Sequence, residues 1–337
     1  MVQKLAKTLN KVGINGFLLG LFAAILLAWI FPFAGSGESP VPWKPIINVG
    51  IGLVFFLYGV KLDPVQLKAG LKNWKLHVLI QLATFVIFPL LVLAVVPFMS
   101  WIDKDFQLGI TYLSVLPSTV SASVVMVSIS QGNIPGAIFN ASISSLLGVI
   151  ITPAWMGILS DSADIEMDFI PTLGELSVKV LLPVILGILF HKWLYPKIEK
   201  HLSALKYIDQ TVIMIIVFTS FAESFSQHIF SPYKMSVLLE VGATMLGLFF
   251  LIWLVIEGLC RMLGFSWEDR VTALFCGSKK SLVQGVVIGK VVFPDPAILG
   301  LVLLPLMLYH IQQLILGSFI ASRFARRVEA IPSTKKK

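Results

Sequence analysis

Two adjacent lysines lie deep inside a long apolar segment of the sequence. A lysine at the centre of a bilayer costs about 2.5–3.5 kcal/mol on the insertion scale, and ionisable residues at that depth are usually functional. These ammonium groups must face a wet cavity, an anionic partner, or both. The alternative is a packing role in which a carboxylate such as Glu223 or Glu257 neutralises them. The candidate substrate-binding or charge-bearing residues in this segment are Lys279, Lys280, Ser278 and Ser281.

A cluster of hydroxyl groups follows a proline in a second apolar segment. Pro117 has no backbone N–H to donate, so it leaves a carbonyl free one turn back. Freed carbonyls and hydroxyl oxygens are hard ligands that suit Na⁺, and the ends of a broken helix add dipoles. Serine and threonine also simply join helices, and this alternative stays open for each residue taken singly. The cation-binding candidates here are Ser118, Thr119, Ser121 and Ser123.

Four further polar residues in apolar segments extend these candidate sites. Asn140 is the most demanding, because an unpaired amide is costly in lipid, and it joins the lysines as a candidate for substrate binding. Gln81 and Thr84 precede Pro89 in another segment and are candidates for cation binding. Glu223 is a candidate gate or proton site, with an interfacial, solvated carboxylate as the alternative.

The elements that position these residues are membrane helices. Of the 337 residues, 57% are hydrophobic and only 13% are charged, with a mean hydropathy of +0.89. Soluble domains carry about 25% charged residues, so this composition predicts an all-α polytopic membrane protein. A crossing helix needs about 20 mostly apolar residues. We predict ten spans, at Gly13–Phe31, Pro45–Val60, Leu76–Met99, Phe106–Ser130, Ile134–Leu159, Leu173–Trp193, Tyr207–Phe225, Met235–Leu263, Trp267–Phe293 and Pro296–Ala321.

Basic residues set the predicted orientation of the chain. Nineteen Lys and Arg residues fall on one side of the ten spans and three on the other, and the positive-inside rule places the richer side in the cytoplasm. We therefore expect a multi-pass protein of the cell (inner) membrane with both termini cytoplasmic. The same rule accounts for the net charge of +8, so we expect no nucleic-acid partner. Cys260 and Cys276 lie in apolar runs and indicate no disulfide framework.

An acidic stretch near residues 161–171 divides the chain into two sets of five spans, which predicts repeats of residues 1–165 and 166–337. Because five is odd, two consecutive units must point in opposite directions. The fourth span of each half is interrupted near its middle, as in inverted-repeat transporters, whose binding sites lie where broken helices meet. We predict that spans four and nine are discontinuous and that their breaks cross, near Pro117–Ser121 and Ser278–Ser281.

Two motifs in the interrupted spans carry a family resemblance. They are Gly277-Ser278-Lys279-Lys280-Ser281-Leu282 with Gly285-Val286-Val287-Ile288, and Leu116-Pro117-Ser118-Thr119-Val120-Ser121-Ala122-Ser123 with Gln131-Gly132-Asn133. The sequence resembles the bile acid:sodium symporter superfamily over nearly its whole length. It is most similar to the SBF-like branch, which includes bacterial proteins and vertebrate member seven of that carrier family.

The resemblance implies ten helices in two inverted five-helix repeats. Spans one, two, six and seven would form a panel domain, and spans three to five and eight to ten a core domain. Spans four and nine would be unwound and cross, with two Na⁺ ions behind the crossing. An anionic substrate would lie between the two domains, which move to give alternating access.

The resemblance also aligns residues of this chain with the family's sodium ligands, and it shows differences. Cys276 stands where those members have a sodium-binding glutamate, and Lys280 stands where they have a glutamine. Ser123 stands where those members have an asparagine at the span-four break, and Thr84 stands where they have a glutamine in span three. Ala141, next to Asn140, stands where they have a threonine in span five. A lysine within about 4 Å of Na⁺ is strongly repulsive at low dielectric. Either Lys280 replaces one sodium as a fixed charge, or its charge serves substrate or proton coupling.

The leading functional hypothesis is a secondary active transporter of a small organic anion. It would work by alternating access and would be coupled to sodium or another cation through altered sites. The hypothesis involves no enzymatic activity, no cofactor and no metal beyond Na⁺, and its partners are the substrate and the lipid bilayer. The alternatives are an intramembrane Ser–Lys hydrolase, in which Lys280 activates Ser118, Ser121 or Ser281, and a non-transporting scaffold or channel. The sequence contains no G-x-S-x-G motif to support the hydrolase.

Overall fold

The computed structural model of the chain describes residues 16–62, 73–160, 171, 174, 177–231 and 233–329. All regular secondary structure in these ranges is helical. A one-turn helix, Pro32–Gly35, follows the first long helix. The longer helices are α1 Gly16–Ile30, α2 Trp43–Lys61, α3 Trp74–Phe98, α4a Lys104–Ser114, α4b Ser121–Ile129, α5 Ile134–Ser160, α6 Leu182–Ile198, α7 Leu202–Ser226, α8 Met235–Met262, α9a Trp267–Gly277, α9b Leu282–Val292 and α10 Pro296–Glu329.

Eight helical segments in the described part of the chain are long and apolar enough to cross a membrane. They correspond to all of the predicted spans except the first and the fourth. The first is represented by the shorter helix α1, and the fourth is divided into α4a and α4b. The protein is therefore an all-helical, multi-pass membrane protein, and the total of ten crossings stays a prediction.

The boundary predicted between the two halves falls on residues 161–170, which lie outside the described residues. The acidic positions that suggested the boundary, Asp161, Asp164, Glu166 and Asp168, lie there as well. The division into two inverted repeats therefore stays a prediction, as does the grouping into panel and core domains.

The stretch between predicted spans six and seven, residues 194–206, is helical. Helix α6 continues past Trp193 to Ile198, and one 3₁₀ turn, Glu199–His201, leads directly into α7. This stretch has lysine and glutamate, which are good helix formers, and no glycine to end the helix. Pro196 lies inside α6, two residues before its end. The interval between the two predicted spans is therefore an extension of two helices.

Helices α4 and α9 lie at the centre of the fold, and both are interrupted. Residues 115–120 separate α4a from α4b, and residues 278–281 separate α9a from α9b. Burial agrees with this central position: 94% of an 18-residue apolar stretch within Trp267–Val292 is buried, compared with 17% of such a stretch within Val178–His201. The two breaks contact each other, because the Ser281 N–H donates a hydrogen bond of 2.8 Å to the Pro117 carbonyl. Helix α10 packs along α4a, α4b and α9b.

Helices α2 and α6 cross at a pair of glycines. A Cβ atom on Gly59 would overlap the Val184 carbonyl, and a Cβ atom on Gly187 would overlap the Phe56 carbonyl. Small residues at such crossings let two backbones approach closely, which is how helices associate in membranes without a hydrophobic driving force. The two glycines thus fix the distance between α2 and α6.

We predict that Gly59→Ala lowers the thermal stability of the detergent-solubilised protein. The added methyl group would force the α2 and α6 backbones apart, and overpacking of this kind costs about 1–3 kcal/mol. Gly52→Ala on the same helix is the control, since nothing lies within 4 Å of its Cβ position. The measurement is the melting temperature by size-exclusion chromatography of heated samples. Equal melting temperatures for the two variants would contradict the close crossing.

Candidate functional site

The ammonium group of Lys280 lies where the two helix breaks meet. Its Nζ donates hydrogen bonds to three main-chain carbonyls, those of Thr84 at 2.7 Å, Ser114 at 2.6 Å and Leu116 at 2.8 Å. The side chain is completely buried, and the Nζ lies 4.4 Å from the centre of the Phe88 ring. All three N–H groups of the ammonium are thereby used. One lysine thus joins α3, the end of α4a and the break in α9.

The carbonyls around Lys280 are free because the helices that carry them depart from regular α-helical bonding. Ser114 and Leu116 lie at the C-terminal end of α4a, where helical carbonyls lack an N–H partner. Thr84 lies in a π-helical turn, Ala83–Ile87, in which the Phe88 N–H bonds to Ala83 rather than to Thr84. The next amide along is that of Pro89, which has no hydrogen to donate. We refer to the carbonyls of Thr84, Ser114 and Leu116 as the carbonyl cage.

Other backbone groups at the α4 break are also paired. The Val115 carbonyl accepts from the Thr152 hydroxyl at 2.8 Å, and the Ser118 N–H donates to the Ser144 hydroxyl at 2.9 Å. Both partners come from α5. In hydrocarbon an unpaired backbone group costs several kcal/mol, so a helix can break inside the membrane only where neighbouring segments supply such partners.

The α9 break is held by α10. The Gln313 side chain brackets the Lys280 main chain, since its Oε1 accepts from the Lys280 N–H and its Nε2 donates to the Lys280 carbonyl, each at 2.8 Å. The Gln313 amide also contacts His310 Nδ1 at 2.9 Å. The Tyr309 hydroxyl donates to the Ser278 carbonyl at 2.6 Å. His310 is therefore part of the scaffold that fixes Lys280.

Two of the four predicted hydroxyl residues join the α4 break and α4b to α9a. The Ser118 hydroxyl donates to the Cys276 carbonyl at 2.5 Å and the Ser123 hydroxyl to the Phe275 carbonyl at 3.0 Å. Thr119 pairs with Ser123 at 2.7 Å. Ser121 is exposed at the first turn of α4b. The buried Ser118 and Ser123 hydroxyls therefore pair with carbonyls at the end of α9a, whereas Ser121 makes no such hydrogen bond among the described residues.

Three further predicted residues act through local contacts. Thr84 donates its hydroxyl to the Ile80 carbonyl at 2.8 Å and presents only its carbonyl to Lys280. Ser278 donates to the Leu274 carbonyl at 2.6 Å in its own helix. Ser281 caps α9b, because its hydroxyl accepts from the Gln284 N–H at 3.3 Å. These residues lie at the meeting point, but their side chains serve the backbone.

Asn140 belongs to a separate cluster between α3 and α5. Its Nδ2 contacts His77 Nδ1 and donates to the Gly136 carbonyl, each at 2.8 Å, and Gln81 Nε2 donates to its Oδ1 at 3.2 Å. No hydrogen bond in the described part of the chain joins Asn140 to residues 276–281. The sequence interpretation, which placed Asn140 beside the lysines, missed His77. The spacing of His77 and Gln81 by four residues on one helix face was a usable signal.

Lys279 is as deeply buried as Lys280 but lies against a different wall. Its Nζ contacts the Met126 sulfur and donates to the Ala122 carbonyl at 3.4 Å, and it lies 4.9 Å from the Phe275 ring centre. These acceptors are weaker than the carbonyl cage. Both lysines lie in the non-helical break between α9a and α9b, and their side chains contact different elements, α4b for Lys279 and α3 with the end of α4a for Lys280.

The carboxylates proposed as packing partners lie elsewhere. Glu223 accepts from the Gly37 N–H at 2.6 Å and from Gln227 at 2.8 Å, near the short helix after α1. Glu257 pairs with Arg261 at 2.7 Å and Arg270 at 3.5 Å. Neither contacts Lys279 or Lys280, so the alternative of a lysine neutralised by one of these two carboxylates is wrong.

Asp269 forms a second junction that the sequence interpretation did not identify. Its two carboxylate oxygens accept from Asn73 at 2.6 Å and from Asn133 at 2.8 Å. These asparagines precede α3 and α5, and Asp269 is in the first turn of α9a. A carboxylate is favourable near helix N-termini, so Asp269 fastens three helix starts together. The run Gln131-Gly132-Asn133 was noted only as part of a motif.

Comparison with known proteins agrees with this architecture. The model of the SBF-like CPA transporter family matches residues 15–326. "Uncharacterized protein PA2026" of Pseudomonas aeruginosa is 38% identical, over 93% of this chain and 93% of that protein. "Putative symporter YfeH" of Escherichia coli is 31% identical, over 94% and 95%. "Sodium/bile acid cotransporter 7" of Rattus norvegicus is 28% identical, over 93% of each chain.

The match extends from α1 to the last turns of α10 and includes both interrupted helices. The resemblance inferred from the two motifs is thereby confirmed. The family description and the names of the relatives indicate transporters rather than enzymes. Sodium appears in the name of the rat relative as a transported ion and not as a cofactor. The chain is a membrane transporter and belongs to the SBF-like CPA transporter family.

Proposed function

We propose that this transporter is a secondary carrier of a small organic anion, working by alternating access and coupled to a cation. The observation that carries the proposal is the meeting of two broken helices around the buried Lys280 ammonium. Broken helices near the middle of a carrier place helix ends and freed carbonyls at the binding site. A scaffold without a transport cycle has no need of such breaks, and a channel is served less well by them.

The charge distribution at the breaks favours an anion as substrate. Lys279 and Lys280 are both fully buried, and no carboxylate of the described residues forms an ion pair with either. The first turns of α4b and α9b add the positive ends of two helix dipoles. The exposed hydroxyl of Ser121 lies at the first of these turns. A carboxylate, sulfate or phosphate would balance this charge, and the name of the rat relative agrees with an organic anion.

The role we propose for Lys280 is that of a fixed positive charge in place of one transported cation. Its three N–H groups are already used by the carbonyl cage. Cys276 presents a carbonyl to Ser118 and supplies no carboxylate. Cation coupling would therefore use fewer sodium ions than in members with a glutamate at that position. Ser123, Thr119 and Ser118 are the remaining candidates for a cation that moves.

The Ser–Lys hydrolase is disfavoured by the same contacts. A general base must present a lone pair to the nucleophile's proton, whereas Lys280 directs its hydrogens at carbonyls. The Ser118 hydroxyl points at the Cys276 carbonyl, and the Ser281 hydroxyl caps α9b. The geometry thus supports a charge that is held in place rather than a base in a catalytic pair.

We further propose that the two predicted domains move against each other. Tyr58 of α2 donates a hydrogen bond of 3.1 Å to the Ser142 carbonyl of α5, so this contact joins the proposed panel and core domains in the present conformation. The protein would lie in the inner membrane with both termini in the cytoplasm, as the excess of basic residues predicts.

The direct test is uptake into proteoliposomes, measured for a set of organic carboxylates, sulfates and phosphates with and without an inward Na⁺ gradient. We expect saturable uptake of at least one anion, with exchange against the same anion inside the vesicle. Stimulation by Na⁺ indicates sodium coupling, and stimulation by a proton gradient alone indicates proton coupling. Flux that never saturates, without exchange, would overturn the carrier and favour a channel.

We predict that Lys280→Ala lowers the rate of this uptake by about tenfold or more, while membrane insertion is preserved. Insertion is preserved because removing a charge from the bilayer interior carries no penalty. Lys280→Arg should also fail, since a planar guanidinium replaces a compact ammonium poorly. Lys279→Ala is the matched control and should be milder, because its acceptors are weaker. Uptake by Lys280→Ala at the wild-type rate, with wild-type sodium dependence, would return Lys280 to a structural role.

A further inference from the structure

The surroundings of the Lys280 ammonium match those of a bound monovalent cation. Three neutral carbonyl oxygens lie 2.6–2.8 Å from Nζ, and the face of Phe88 lies 4.4 Å away. Rings of backbone carbonyls replace the hydration shell of alkali ions in membrane proteins, and an aromatic face attracts cations. We infer that the carbonyl cage is a monovalent-cation site that the chain fills with its own lysine.

The backbone that carries the cage carbonyls is also held by contacts that do not involve the Lys280 side chain. The Ser114 and Leu116 carbonyls lack an N–H partner because α4a ends, and the Thr84 carbonyl lacks one because of the π turn before Pro89. Their neighbours are fixed by other residues: Val115 by Thr152, Pro117 by the Ser281 N–H and Phe85 by the Trp155 indole, each at 2.8 Å. Removing the Lys280 side chain leaves all of these contacts in place, so the three oxygens should keep their positions.

The neutral carbonyls of the cage suit a cation with a single positive charge. All three ligands are neutral carbonyls, and two of them are at the negative end of the α4a dipole. No carboxylate of the described residues contacts Lys280, so a divalent ion would lack the compensation that it finds in acidic sites. Small monovalent cations, namely Na⁺, K⁺ and methylammonium, are the ligands that fit. A tethered ammonium cannot dissociate, so the wild-type cage does not exchange with ions in solution.

Lys279 supplies an internal comparison. It is equally buried, but its acceptors are one carbonyl at 3.4 Å and the Met126 sulfur. One distant carbonyl and a thioether do not replace a hydration shell. Removing Lys279 should therefore leave a space with no affinity for a free cation, although the two lysines are neighbours in the sequence.

The test is cation-dependent thermal stability of the full-length protein in detergent. Wild type, Lys280→Ala and Lys279→Ala are melted at constant ionic strength in sodium, potassium, methylammonium or choline chloride, choline being too large for the cage. A ligand that binds only the folded state raises the melting temperature. We expect Lys280→Ala to melt several degrees higher in at least one of the three small cations than in choline. Wild type and Lys279→Ala should show no such difference.

A second variant covers the case in which Lys280→Ala does not fold. Lys280→Ser also removes the ammonium and replaces it with a short polar side chain. Equal melting in all four salts by either folded variant would overturn the cage, and so would aggregation of both variants in every salt. The inference deepens the role proposed for Lys280 and rests on that proposal. Its test involves no substrate, so the carrier can stand if the cage fails, and the cage can stand if no anion is transported.

Discussion

The hydrogen bonds from the Lys280 ammonium to three main-chain carbonyls are the interaction on which the centre of this protein depends. Each carbonyl belongs to backbone that has left regular α-helical bonding, in the π turn of α3 or after α4a. Such groups are very costly in hydrocarbon unless they are paired. A single ammonium pairs three of them at once and brings its own charge into the site. The break in α4 and the lysine in α9 therefore stabilise each other.

Elsewhere in the core, neutral side chains form hydrogen bonds with backbone groups at the breaks. Side chains of α5 and α10 supply the partners for the other backbone groups at the breaks, through Thr152, Ser144, Gln313 and Tyr309. Hydroxyls of the α4 break and of α4b donate hydrogen bonds to the carbonyls at the end of α9a. Serine and threonine in this transporter are thus mainly backbone partners. That use explains how two helices can be interrupted inside a bilayer while carbonyls and N–H groups at the breaks keep partners.

Two lysines that are adjacent in sequence have different physical situations. Lys280 has three carbonyl acceptors at 2.6–2.8 Å, whereas Lys279 has a sulfur, a distant carbonyl and an aromatic face. Burial alone penalises both charges, so the difference between the two sites lies in their acceptors. In a family with sodium cotransporters among its relatives, a carbonyl cage filled by a lysine offers a way to keep a positive charge in the core without binding an ion from solution.

The sequence by itself determined the class of protein, the positions of most helices and the two breaks, because apolar length, proline and polar interruptions are local properties. It also identified Lys280 as exceptional, since a charge at that depth is costly wherever the helix points. Only the tertiary structure decided what each polar residue touches. The lysines contact different elements because both lie in the irregular break of α9, Asn140 pairs with His77 and Gln81 because α3 and α5 adjoin, and the ligands of Lys280 are backbone carbonyls. Backbone carbonyls are present at every residue, so no pattern of side chains could single out these three.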